Sequence, residues 1–167
     1  MSYESFEEIE AYCHMHDMSF WRAVLMDDMC ERQVTEDESF HAMKGIWEAM
    51  LRASEEYNAG LQSRSELVGG LGGKLEAYRQ NGIPLCGEFM ATVMGEALKT
   101  AESNACMKRI VAAPTAGACG VLPAVLIPLY RTCGLSEMDM LRALYVAAGI
   151  GQVVAARAYI AGAAGGC

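Results

Sequence analysis

Apolar positions fall three and four residues apart along most of the chain, the spacing of one face of a helix. No run alternates as a half-buried strand does. Ser5-Phe6-Glu7-Glu8 reads as a capping box, and Phe6, Ile9 and Cys13 then share a face. Ser19 can cap a second helix carrying Trp21, Leu25 and Met29. Thr35-Glu36-Asp37-Glu38 is another capping box. It opens the clearest amphipathic helix, with Phe40, Met43, Trp47, Met50, Leu51 and Ser54 on one side and Gly60 as the expected stop. Residues 62–73 contain Gly69, Gly70, Gly72 and Gly73, and four glycines in five positions predict a loop rather than a helix interior. A short helix is expected from Lys74 to about Gln80, ended by Asn81-Gly82, and Pro84 restarts the chain. Residues 87–108 read as helix again, and residues 113–120 as a second small-residue loop. An apolar helix follows with Pro123 in its first turn, where proline is tolerated. Ser136 caps a helix expected to run to about Gly149, and a last apolar segment ends in Gly162-Ala163-Ala164-Gly165-Gly166-Cys167. The pattern predicts an all-α fold of about seven to eight helices with Gly-rich loops lining a pocket. Residues 1–167 are expected to form a single domain, with acidic amphipathic helices over 1–60 and apolar core helices over 84–167.

Composition sharpens this picture. At 167 residues, with 53% hydrophobic and 20% charged positions, the chain can bury a sizeable core and is not of disordered type. Its net charge of −8 disfavours a nucleic-acid partner, since a phosphate backbone calls for a basic patch. The charge is unevenly spread. Residues 1–60 hold 14 acids and 4 bases, whereas from Ile110 to Cys167 only Arg131, Glu137, Asp139, Arg142 and Arg157 are charged. Ile110 to Tyr130 is long enough to span a membrane, but its prolines, glycines and alanines favour a buried helix in a core, so no membrane partner is expected. The seven cysteines are odd in number and form no CxxC, and the acidic N-terminus has no signal-peptide pattern. Free thiols in a reducing cytoplasm are the expectation.

Three features could carry chemistry. The two glycine-rich loops allow backbone N–H groups to approach a small anion, with the positive end of a following helix behind them. Ser63, Ser65 and Thr115 place hydroxyls beside those amides, which would suit a carboxylate ligand. The plainer reading is that the glycines only permit tight turns and close helix contacts. Cys13-His14-Met15-His16 has the look of a metal tract. Only three potential ligands lie there, and His41 is the one other histidine, so core and surface roles fit better. Cys167 follows two glycines at the edge of an apolar segment, where it could be a cluster ligand, a nucleophile or a plain terminal thiol.

These stretches together resemble the α chain of the iron–sulfur-dependent bacterial L-serine dehydratases. The resemblance rests on Ser63-Arg64-Ser65-Glu66-Leu67-Val68-Gly69-Gly70 with Lys74-Leu75, and on Asn104-Ala105-Cys106-Met107. It rests also on Ala112-Ala113-Pro114-Thr115-Ala116-Gly117-Ala118-Cys119-Gly120-Val121-Leu122-Pro123-Ala124-Val125 and on Ile160-Ala161-Gly162-Ala163-Ala164-Gly165-Gly166-Cys167. The order and spacing are those of the family across nearly the whole chain. Glu66 stands where the family commonly has glycine and Ala113 where it commonly has threonine. Arg157-Ala158-Tyr159-Ile160-Ala161 replaces a segment with two hydroxyls.

The resemblance implies β-elimination of water from L-serine, giving pyruvate and ammonia, with a 4Fe–4S cluster acting as Lewis acid on the substrate. It implies that Ser63, Ser65, Gly69, Gly70, Pro114, Thr115, Ala116 and Gly117 line the substrate pocket and that Cys167 matches the first cluster cysteine. The family chain supplies two more cluster cysteines beyond that point, and one ligand cannot hold four irons. The expectation is therefore a truncated α chain without cluster or turnover, associating as a homo- or hetero-oligomer, with a β chain as a plausible partner. The second expectation is a divergent, non-catalytic helical module that binds a partner subunit. The catalytic base is not identified.

Overall fold

A computed structural model describes residues 3–160. Among these residues there are seven α-helices, one short 3₁₀ turn and no strand. The helices are α1 (Phe6–His16), α2 (Phe20–Arg32), α3 (Glu36–Glu55), α4 (Leu71–Asn81), α5 (Glu88–Ala105), α6 (Val121–Thr132) and α7 (Glu137–Arg157), with the 3₁₀ turn at Ala116–Ala118. The all-α expectation holds. The chain divides into two compact units, residues 1–47 with 136–167 and residues 48–135.

In the first unit α1 packs on α2, and α2 on α7. Short hydroxyl residues cap three of the helices as expected, while Ser19 stands at the start of α2 without a side-chain cap bond. Ser5 accepts the Glu8 N–H, Thr35 accepts the Glu38 N–H, and Ser136 forms a full capping box with Asp139. Ile9, Ala23 and Val153 pack in one apolar cluster and Val24, Leu25 and Tyr145 in another, and burying each valine, leucine or isoleucine side chain contributes roughly 1.5–3 kcal/mol. A polar relay leads out of the second cluster. Tyr145, 1% exposed, donates to Ser39 at 2.7 Å, and Ser39 donates to Asp28 at 2.5 Å. The Tyr145 ring meets Phe40 edge to face at 5.5 Å.

Helix α7 does not stop near Gly149. It continues through Gly149 and Gly151 to Arg157. The cause at Gly149 is packing: a Cβ there would lie 2.6 Å from Val24 Cγ2 and 2.9 Å from Phe20 Cε1, so only hydrogen leaves room for α2. By length and composition α7 could cross a membrane, and a third of its apolar stretch is buried in the fold. The charge-free Ile110–Tyr130 stretch is not one helix, since residues 110–115 lack helical structure and α6 begins at Val121.

In the second unit α5 is the central element, with α4 and α6 packed against it. Its buried side is made of small or polar residues, including Ala91, Gly95, Glu96, Thr100, Glu102 and Ser103. Small side chains let neighbouring backbones come close. A Cβ on Gly120, at the start of α6, would sit 3.1 Å from the Ala97 carbonyl oxygen. Met50, Ala124 and Ile127 supply the apolar remainder of this core.

Candidate functional site

Both glycine-rich loops lie in the second unit, and both are fastened to the last turn of α5. The first loop closes on itself through Ser63. The Ser63 N–H donates to the Val68 carbonyl at 2.8 Å, and the Ser63 hydroxyl accepts the Val68 N–H at 3.2 Å and meets the Ser65 hydroxyl at 3.1 Å. Ser63 is buried, whereas Ser65 is exposed. Ser63 thus builds the loop, and Ser65 is the hydroxyl left facing outward. Glu66 adopts a left-handed φ of 58°, a conformation that glycine takes without steric cost and that an L side chain rarely occupies. Gly69 and Gly70 also have positive φ, 153° and 78°.

Helix α4 begins at Leu71, earlier than the pattern predicted, with Gly72 and Gly73 inside its first turn. First-turn amides have no acceptor within their own helix, so these donors need a partner from elsewhere. A carboxylate from the chain supplies it. Glu102, 3% exposed, accepts from the Leu71 N–H at 2.6 Å and the Gly72 N–H at 3.1 Å. Tyr57 donates its phenol to Glu102 at 2.5 Å and accepts the Gly73 N–H at 3.1 Å. The anion expected at this helix start is therefore an internal one. Burial, followed by the bond to Glu102, pushes the Tyr57 phenol up to about 12. The glycines are required by this arrangement, because a Cβ on Gly72 would lie 3.0 Å from the Tyr57 oxygen and one on Gly73 would lie 2.5 Å from Ala59 Cβ.

The second loop starts at a cis Ala113–Pro114 peptide. The Thr115 hydroxyl accepts the Ala118 N–H at 3.3 Å and caps the 3₁₀ turn. The Ala116 carbonyl accepts from Asn104 Nδ2 at 3.1 Å. Pro114, Ala116 and Gly117 are exposed. Cys119 is buried, and that burial pushes its thiol up.

Two cavities lie in this unit. One, of about 230 Å³, is bounded by Tyr57, Asn58, Glu102, Ser103, Cys106 and Lys108, among others. The other, of about 490 Å³, is bounded by Glu76, Arg79, Glu88, Glu96, Lys99 and Arg131, among others. The charges of the second are mutually paired. Buried Glu96 accepts from Ser54 at 2.5 Å and Lys99 at 3.0 Å and lies 3.6 Å from Arg131, while Arg79 bridges Glu76 and Glu88. Arg79 holds the Glu76 carboxyl below its usual range. The eight expected substrate-pocket residues line neither of these cavities.

The expected ligand Cys167 lies outside the described residues. Among the described residues no three His, Cys, Asp or Glu side chains gather as a metal-binding group, and Cys13, Cys30, Cys86, Cys106, Cys119 and Cys133 are free. In the 13–16 tract His14 lies 3.7 Å from Glu10, and the His16 ring sits against Tyr12. A four-iron cluster has no ligand set among the described residues. Glu102, Tyr57 and Asn104 were not among the residues expected to shape the site. Their sequence signal is indirect: successive first-turn glycine amides imply a buried acceptor somewhere in the chain.

The family model described as "Serine dehydratase alpha chain" matches residues 15–167, and the chain belongs to this family. It is 35% identical over 144 residues to the protein named "Probable L-serine dehydratase, alpha chain" of Bacillus subtilis (strain 168), covering 86% of this chain and 48% of that one. It is 29% identical over 161 residues to "L-serine dehydratase, alpha chain" of Peptoniphilus asaccharolyticus, covering 96% of this chain and 55% of that one. The chain thus spans about half the length of these relatives. No solved structure matches it.

Proposed function

We propose that this chain is the substrate-loop portion of an L-serine dehydratase α chain. The reaction is β-elimination: the α-proton leaves, the Cβ–O bond breaks and water departs. The resulting aminoacrylate takes its imine form and is hydrolysed to pyruvate and ammonia. The observation that carries this reading is that the two loops that bear the resemblance are tied to one helix turn, the first through Glu102 at the start of α4 and the second through Asn104. Ser65 and the exposed Pro114, Ala116 and Gly117 are the groups that would meet the substrate, while Ser63, Gly69, Gly70 and Thr115 hold the loops in shape. Cluster binding and turnover belong to the complete enzyme, together with the cysteines that hold the cluster. The 167-residue chain by itself is inactive and associates with further α-chain residues or a β chain. The proposed compartment is the cytoplasm.

The test is a graft. Residues 15–167 replace the matching segment of the Bacillus subtilis relative, the protein is reconstituted anaerobically with iron and sulfide, and pyruvate is measured from L-serine with the β chain present. The chimera should form pyruvate, and the isolated chain should not. A chimera that folds, shows cluster absorbance and makes no pyruvate would refute the assignment. Turnover by the 167 residues alone would refute their dependence on the rest of an α chain.

A further inference from the structure

We propose that Glu102 and Asn104 act as a two-sided clamp that sets the placement of both substrate loops, with Tyr57 as the second half of the Glu102 arm. This rests on the serine dehydratase reading for its effect on catalysis, but not for the clamp itself. Successive helix residues are about 100° apart, so positions 102 and 104 project roughly 200° apart and reach different neighbours. Glu102 and Tyr57 together take up the three N–H groups of Leu71, Gly72 and Gly73. Asn104 takes the Ala116 carbonyl. The turn that carries both is itself fixed. The Cys106 N–H donates to the Glu102 carbonyl at 2.9 Å, the Lys108 N–H donates to the Ser103 carbonyl at 2.8 Å, and Met107 closes it with a left-handed φ of 59°.

Two consequences distinguish this clamp from ordinary packing. The start of α4 is already occupied by a carboxylate, so a substrate carboxylate is bound by other groups of the loops. The spacing of the loops is also decided by three consecutive residues, Glu102-Ser103-Asn104, so a change at either end displaces one loop and leaves the other in place. Glu102 and Asn104 are positioning residues, since their polar atoms are engaged by the loops.

Two measurements test this. The first is hydrogen exchange on the 167-residue chain, which needs no activity. Glu102→Gln keeps the shape but replaces one acceptor oxygen by a donor. Exchange should rise about tenfold or more in peptides covering residues 69–75 and stay unchanged over residues 113–120. Asn104→Ala should do the reverse. Equal exchange in parent and variants, or a rise in both loops from either substitution, overturns the clamp. The second measurement uses the grafted enzyme, where Asn104→Ala and Tyr57→Phe serve as milder variants if Glu102→Gln does not fold. Each should raise KM for L-serine about three- to tenfold with a smaller change in kcat and an unmoved pH profile. An unchanged KM in folded variants, or a collapse of kcat with a displaced pH profile, overturns the positioning role. An inactive parent graft condemns the serine dehydratase reading and leaves the exchange result to decide the clamp.

Discussion

Replacing Gly149 by alanine should weaken the first unit, and replacing Gly151 by alanine should strengthen it. Both residues lie inside α7. Each substitution gains the same intrinsic term, because alanine in a helix interior is favoured over glycine by about 1 kcal/mol. Their surroundings differ. A Cβ at Gly151 meets nothing within 4 Å, whereas one at Gly149 would lie 2.6 Å from Val24 and 2.9 Å from Phe20. Val24 is 5% exposed and has little room to withdraw. Forcing a methyl group into a packed contact costs roughly 1–3 kcal/mol, so the two variants should differ by about that amount. Chemical denaturation followed by far-UV circular dichroism measures the difference. For a chain of this length it corresponds to a separation in Tm of roughly 2–4 °C per kcal/mol. If both variants were stabilised, α2 would not approach α7 at Gly149. If both were destabilised, residues 149–151 would not be helix interior.

Other outcomes follow from titrating groups and thiols. The Tyr3 and Tyr57 phenols are held near 12, chiefly by burial, and their unfolded value is about 10. The stability they contribute should be fully present below about pH 10 and lost as the pH rises through about 12; burial raises the Tyr145 phenol as well, so at least three tyrosines should ionise late in absorbance titration, and Tyr57→Phe should remove one of them. The Ser136 bonds lower the Asp139 carboxyl, so its contribution is present at neutral pH and fades as the pH falls through its folded value. Ser136→Ala should bring that carboxyl back up in an NMR titration, and an unmoved value would contradict the capping box. Burial raises the Cys119 thiol, while Cys30, Cys86 and Cys133 are exposed. Iodoacetamide at neutral pH should label those three first and Cys119 only on unfolding, as read by peptide mass mapping.

The helices were legible where local chemistry decides them. Ser5, Thr35 and Ser136 open their helices as the sequence indicates, because a hydroxyl three residues before a carboxylate satisfies the end amides without help from elsewhere. The errors fall on glycines whose reason is distant. Gly149 is a contact with α2, and Gly72 and Gly73 are contacts with Tyr57 and Ala59. Read locally, each resembles a breaker. The loops were found from their small residues, but the residue that fixes the first of them lies about thirty positions further along the chain. Nothing in the sequence around Glu102 announces that its carboxylate belongs to the start of α4. Glu66 was visible as a departure from the family pattern, and its left-handed backbone supplies the physical reason that a glycine suits that place.

The anion at the start of α4 is covalently attached to the fold, so its effective concentration does not vary with the medium. Chloride, sulfate or phosphate would have to displace a buried side chain to reach those three amides. The first loop should therefore keep one shape from dilute buffer to concentrated salt, and its geometry is insulated from ionic conditions that would perturb a helix end open to solvent.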